Sequence, residues 1–101
     1  MSEKAIYKDK ILVDVKRPKM YRIILLNDDY TSMEFVIEVL VAIFHKTASE
    51  ATKIMLDVHE KGKGIVGIYP YDIALTKIIQ TENAAQAKGF PLKAIMEEEW
   101  K

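Results

Sequence analysis

The feature that most constrains this chain is a six-residue run, Tyr21-Arg22-Ile23-Ile24-Leu25-Leu26, held between Pro18 and the polar triplet Asn27-Asp28-Asp29. Its apolar and β-branched content, cut off on both sides by breakers, predicts a buried strand that runs into a polar loop. Directly after the loop comes Thr31-Ser32-Met33-Glu34, which has the form of a capping box. In that reading Thr31 accepts from the Glu34 amide, and the Glu34 carboxylate reaches back to the Thr31 amide. Met33, Val36, Ile37, Leu40 and Phe44 then recur at helical spacing. Thr47-Ala48-Ser49-Glu50 repeats the capping form, and Ala51, Ile54, Met55 and Val58 repeat the stripe. Gly62 stands where a left-handed cap ends this second helix.

Ile65-Val66-Gly67-Ile68-Tyr69 predicts a second strand, and Pro70 at a first helical position opens a third helix bearing Ile73, Ala74, Lys77 and Ile78. Gly89 closes that helix, and Pro91–Met96 reads as a last strand. The order β-α-α-β-α-β predicts a single α+β domain, with three helices on one face of a three-stranded antiparallel sheet. Residues 1–19 mix charges with scattered apolar residues and end at Arg17-Pro18-Lys19, a junction hostile to helix. They are expected to form a flexible, extended arm in front of a core domain spanning 20–101. The acidic run Glu97-Glu98-Glu99 is expected to be a solvated tail.

The 101 residues suffice for one compact core. Fifteen basic residues balance fifteen acidic ones, so the total charge carries no nucleic-acid footprint. Cysteine is absent, which excludes disulfides and thiolate catalysis. No apolar stretch reaches membrane-spanning length and no secretory signal pattern opens the chain, so a cytoplasmic location is the default expectation.

Polar chemistry concentrates at Asn27-Asp28-Asp29. Turn formation alone accounts for such a triplet, because Asn and Asp bond to their own backbone. His59, at the edge of the second helical stripe, equally suits a structural role, and His45 is expected at the end of the first helix, where a cation suits the dipole. Taken together the same residues fit one ligand. A free α-ammonium needs acceptors, and Asn27, a carboxylate from Asp28 or Asp29, and a neutral His59 imidazole supply three. Met33, Val36, Met55 and Val58 can line an apolar hole beside it, and methionine adapts to differing shapes. A divalent metal on Asp28, Asp29, His59 and Glu60 lacks a ligand spacing such as His-x-x-x-His. No serine has a nucleophile elbow around it, and Gly62-Lys63-Gly64 lacks the Walker spacing. The expectation is a non-enzymatic chain without cofactor or metal.

The run Met20-Tyr21-Arg22-Ile23-Ile24-Leu25-Leu26-Asn27-Asp28-Asp29-Tyr30-Thr31-Ser32-Met33-Glu34-Phe35-Val36 closely resembles the ClpS family. So do Met55-Leu56-Asp57-Val58-His59, Gly62-Lys63-Gly64-Ile65-Val66-Gly67 and Thr76-Lys77, and the likeness covers residues 20–96. The resemblance implies an adaptor of the ClpAP protease. Such adaptors recognise N-degrons that begin with Leu, Phe, Tyr or Trp and deliver them to the hexameric AAA+ unfoldase ClpA. On this chain it implies α-ammonium contacts at Asn27, Asp29 and His59, a rim at Asp28 and Thr31, and a side-chain pocket of Met33, Val36, Met55, Val58 and Leu92. Met33 would be the gatekeeper against β-branched side chains. Asp72 and Lys77 would dock on the unfoldase's N-terminal domain, and the arm would serve hand-over; neither nucleic acid nor membrane is implied as a partner. Ser32 stands where many members have Pro, and Leu75 replaces a commonly acidic residue. The alternative is an interaction module of ribosomal-stalk-like build that binds a translation factor. It would not need the Asn-Asp-Asp loop and His59 to face one apolar hole.

Overall fold

A computed structural model describes residues 5–8, 11–14 and 19–99. The expected arm over 1–19 falls largely outside them. Within it, Ala5–Lys8 (β1) and Ile11–Asp14 (β2) pair antiparallel, Ala5 opposite Asp14 and Lys8 opposite Ile11, as a sheet of their own. The linking residues Asp9-Lys10 include no glycine or asparagine, so the usual signal of a tight hairpin is missing from the sequence.

The core follows the expected order. β3 (Met20–Leu26) leads to α1 (Met33–Ala42) and α2 (Ala48–Lys61), then β4 (Lys63–Pro70), α3 (Tyr71–Lys88) and β5 (Lys93–Glu99). β3 is the central strand, antiparallel to β4 on one side and β5 on the other. Successive side chains of a strand point to opposite faces. Ile23 and Leu25, both fully buried, therefore join Leu40, Phe44, Ala51 and Val58 of the helical layer in one cluster. Each such side chain contributes about 1.5–3 kcal/mol of burial free energy. Ile24 points to the other face, between its cross-strand partners Ile65 and Ile95.

Several local readings need correction. Thr31 does not cap α1. Ser32 does, its hydroxyl accepting the Phe35 N–H at 3.1 Å from an extended backbone. The Thr31 amide and hydroxyl both donate to Asp28 instead. The capping box over Thr47 and Glu50 is present with both of its bonds. Pro70 is the N-cap of α3 rather than its first helical residue, and also the last residue of β4. The Glu97–Glu99 run is no solvated tail: it is the second half of β5, paired with Met20–Arg22. Arg22 lies 3.7 Å from Glu97 and 3.3 Å from Glu99, and Lys19 lies 3.9 Å from Glu98. The buried Arg22 Nε and Glu99 Oε1 face each other as ions without hydrogen-bond alignment. His45 is exposed in a left-handed conformation (φ 57°), beyond the end of α1, and the cation at that helix end is Lys77 of α3.

The strand β4 crosses tightly over α2. A Cβ on Gly64 would stand 2.8 Å from Val58 Cγ2 and 3.1 Å from the Ile54 carbonyl oxygen. Neither neighbour is a flexible side-chain end. Gly64→Ala is therefore expected to lower stability by about 1–3 kcal/mol, as forced overpacking does, read as a lower urea midpoint at unchanged slope.

Candidate functional site

The exit of β3 is fastened to the end of α2. The Asn27 N–H donates to the Gly62 carbonyl at 2.9 Å, and Gly62, left-handed at φ 89°, donates its own N–H to Val58 at 3.0 Å. Glycine adopts that conformation without the Cβ penalty that other residues meet. This junction brings the last turn of α2, with Val58 and His59, beside the Asn27–Asp29 loop.

Asp28 locks the loop itself. Its Oδ1 accepts the N–H of Tyr30 at 2.8 Å and of Thr31 at 2.7 Å, and its Oδ2 accepts the Thr31 hydroxyl at 2.7 Å. Partial burial acts to raise the Asp28 pKa. The Thr31 N–H, the Thr31 hydroxyl and the Tyr30 N–H outweigh it, and the carboxyl is held below its ordinary value. The lock carries the chain into Ser32 and so aims the first turn of α1, with Met33 and Val36, at the facing turns of α2, with Met55 and Val58.

These elements enclose an open cavity of about 480 Å³. Asn27, Asp28, Asp29, Thr31 and His59 give it a polar end; Met33, Val36, Met55 and Val58 give it an apolar wall. Nine residues named from the sequence thus meet at one place. Leu92 does not. It is buried in the core and borders a separate recess with Glu82, Gln86, Phe90, Pro91 and Lys93. The Ala94 N–H donates to Glu82 Oε2 at 3.2 Å, which ties the start of β5 to α3. Tyr30, Ser32 and Glu34 also line the cavity and were not named as site residues from the sequence. Their position inside the Asn27–Val36 stretch was the available signal. Tyr30 is 77% exposed, too open for any burial pattern to mark it.

Asp72 and Lys77 lie elsewhere, at a second cavity of about 620 Å³ between the end of α1 and the first turns of α3. It shares no lining residue with the first.

Of the hydroxyls in the first cavity, Ser32 accepts from the Phe35 N–H and Thr31 donates to Asp28; neither is hydrogen-bonded to His59 as an activated nucleophile would be. Among the described residues no group of three His, Cys, Asp or Glu side chains converges as a metal site. None of the described helices is long and apolar enough to cross a membrane. An α+β domain with a cavity polar at one end and apolar along its wall is the build of a small binding module. The family model described as "ATP-dependent Clp protease adaptor protein ClpS" matches residues 16–95. The chain belongs to the ClpS family of Clp protease adaptors, proteins that regulate proteolysis without being the protease.

Individual relatives agree. The ClpS adapter protein of Acetivibrio thermocellus is 62% identical over 99 residues, which cover 98% of this chain and all of that protein. The ClpS adapter of Wolinella succinogenes is 52% identical over 91 residues, 90% of this chain and 87% of that protein. Among solved structures, that of Agrobacterium tumefaciens ClpS2 bound to L-phenylalaninamide superimposes with a TM-score of 0.80 at 40% identity. It covers 82% of this chain and all of that one.

Proposed function

We propose that this chain captures the free N-terminal residue of N-degron substrates that begin with Leu, Phe, Tyr or Trp, and delivers them to the ClpA unfoldase of ClpAP. The observation that carries the reading is the cavity itself, where Asn27, Asp29 and His59 stand at one end of a wall of Met33, Val36, Met55 and Val58. Three donors already engage the Asp28 carboxylate, which supports giving the α-ammonium to the Asn27 carbonyl, the Asp29 carboxylate and an acceptor nitrogen of His59. The positive end of the α1 dipole alone would repel that ammonium, and Asp28 and Asp29 offset it. The first side chain of the substrate then lies along the apolar wall. The related Agrobacterium protein bound to L-phenylalaninamide supports the same polarity, since that ligand joins a free amine to an apolar side chain. Residues 1–19 are assigned to hand-over rather than capture; Asp72 and Lys77 are assigned to the unfoldase-docking face.

Fluorescence anisotropy with two peptides tests capture. A Leu-initiated peptide is expected to bind, and its Nα-acetylated twin to bind at least about tenfold more weakly. Acetylation removes the charge and leaves polar groups unpaired at about 1–3 kcal/mol each. Equal affinities would overturn the proposal.

A further inference from the structure

We propose that Met33 is a modification site, at which oxidation of the thioether to the sulfoxide by a peroxide weakens capture of apolar N-terminal residues. The proposal deepens the reading above and rests on it: the apolar wall receives the first side chain of the substrate. Cysteine is absent, so the five methionines carry all the sulfur of this chain. Oxidation of such sulfur follows exposure. Met33 is 47% exposed, whereas Met55, which lines the same cavity, is 7% exposed. Met20 and Met96 are half-buried in β3 and β5. The most exposed methionine among the described residues therefore stands on the wall of the binding cavity.

The step moves two electrons. The sulfur lone pair attacks one oxygen of hydrogen peroxide, the O–O bond breaks and an S–O bond forms, and the second oxygen leaves as water with both protons. A flexible apolar side chain thereby becomes a polar one. The new oxygen is hydrated while the cavity is empty, and an apolar ligand strips that water away without offering a donor. Five donors of the adjoining loop and first helical turn are already engaged. Asp28 accepts the Tyr30 and Thr31 N–H groups and the Thr31 hydroxyl, Ser32 accepts the Phe35 N–H, and the Gly62 carbonyl accepts the Asn27 N–H. These leave few donors to replace the lost water, so binding weakens. The change is reversible: two thiols reduce the sulfoxide through methionine sulfoxide reductase, giving the thioether, a disulfide and water.

The test treats the full chain with graded hydrogen peroxide and reads binding of a Leu-initiated peptide that lacks methionine. The five methionines fall in different tryptic peptides, Met33 in residues 23–46, so mass spectrometry follows each one separately. Met33 is expected to oxidise at least about fivefold faster than Met55. The Kd is expected to rise about fivefold or more in step with the oxidised fraction of Met33. Saturating peptide should slow the oxidation of Met33 and not that of Met20 or Met96, and methionine sulfoxide reductase should restore the affinity. Met33→Leu is compared with its own untreated sample, and peroxide should leave its Kd where it began. Unchanged or tighter binding after Met33 is oxidised overturns the proposal. So does an equal loss in Met33→Leu, or Met55 oxidising as fast as Met33. Should the untreated protein bind free and Nα-acetylated peptides alike, the capture reading fails, and the oxidation rates alone then decide whether Met33 is the reactive site.

Discussion

Replacing Asp28 by Ala is expected to cost the domain about 2 kcal/mol of stability, and to weaken N-degron peptide binding about thirtyfold, the equivalent free energy. The side chain satisfies three donors between β3 and α1, and the Thr31 amide is partly buried. Alanine leaves that amide without a partner. It also frees the turn that orients Asn27 and Asp29, which flank Asp28 in the cavity, so binding falls although Asp28 itself is not counted as an ammonium contact. The pH dependence separates this account from a packing defect. The folded state holds the Asp28 carboxyl below its ordinary pKa, so it favours the charged form. That contribution is present in full above the unfolded value of about 3.9 and is lost as pH falls through the lower folded value. The gap between the urea midpoints of parent and Asp28→Ala should stay constant from pH 7 to about pH 5 and narrow below about pH 4. A gap of the same size at pH 3 would mean that the charge on Asp28 is not what holds the loop.

The core was legible where hydrophobic period and backbone punctuation agree. The apolar run at Tyr21–Leu26, the stripes of α1 and α2, and the left-handed glycines at 62 and 89 (φ 89° and 78°) lie where the pattern puts them. What failed was local chemistry with two physically equivalent solutions. Thr31 and Ser32 both offer a hydroxyl at the start of α1, and the cap falls to Ser32 because the helix begins at Met33, while Thr31 is turned toward Asp28. The Glu97–Glu99 run lacks apolar alternation, yet it pairs with β3 because Arg22 and Lys19 stand beside it. That compensation depends on strand register, which no single segment carries. His45 looked like the cation of the α1 terminus by proximity in the chain, but the role passes to Lys77 through a contact that only the tertiary fold creates.

The cavity was more legible than its surroundings, because short-range contacts build it. Asn27 to Met33 is one contiguous stretch, and α2 is hinged to it through the Asn27–Gly62 bond. Leu92 is the exception. Its assignment came from the resemblance alone, and the structure has it in the core, bordering a separate recess. The apolar wall consists of Met33 and Val36 from α1 with Met55 and Val58 from α2.

Of the four, Met33 is the one whose exposure suits the gate that the resemblance implies. It is the first residue of α1 and 47% exposed, whereas Val36, Met55 and Val58 are 5%, 7% and 3% exposed and held in the core. A ligand side chain that reaches the wall must pass Met33. An unbranched Cβ does so freely, and the second γ-carbon of Ile or Val presses against the methionine. Such overpacking costs about 1–3 kcal/mol, or roughly five- to 150-fold in affinity. Met33→Ala removes the obstruction and leaves Asn27, Asp29 and His59 in place. Peptides that begin with Ile or Val should therefore gain about tenfold or more, and a Leu-initiated peptide should lose only modestly. An anisotropy series of peptides that differ in the first residue reads both changes in one experiment. If Met33→Ala rejects Ile and Val as strongly as the parent, the gate lies deeper in the wall. Val36, one turn further along α1 and buried, or Leu92, packed in the same core cluster, is then the residue to shorten.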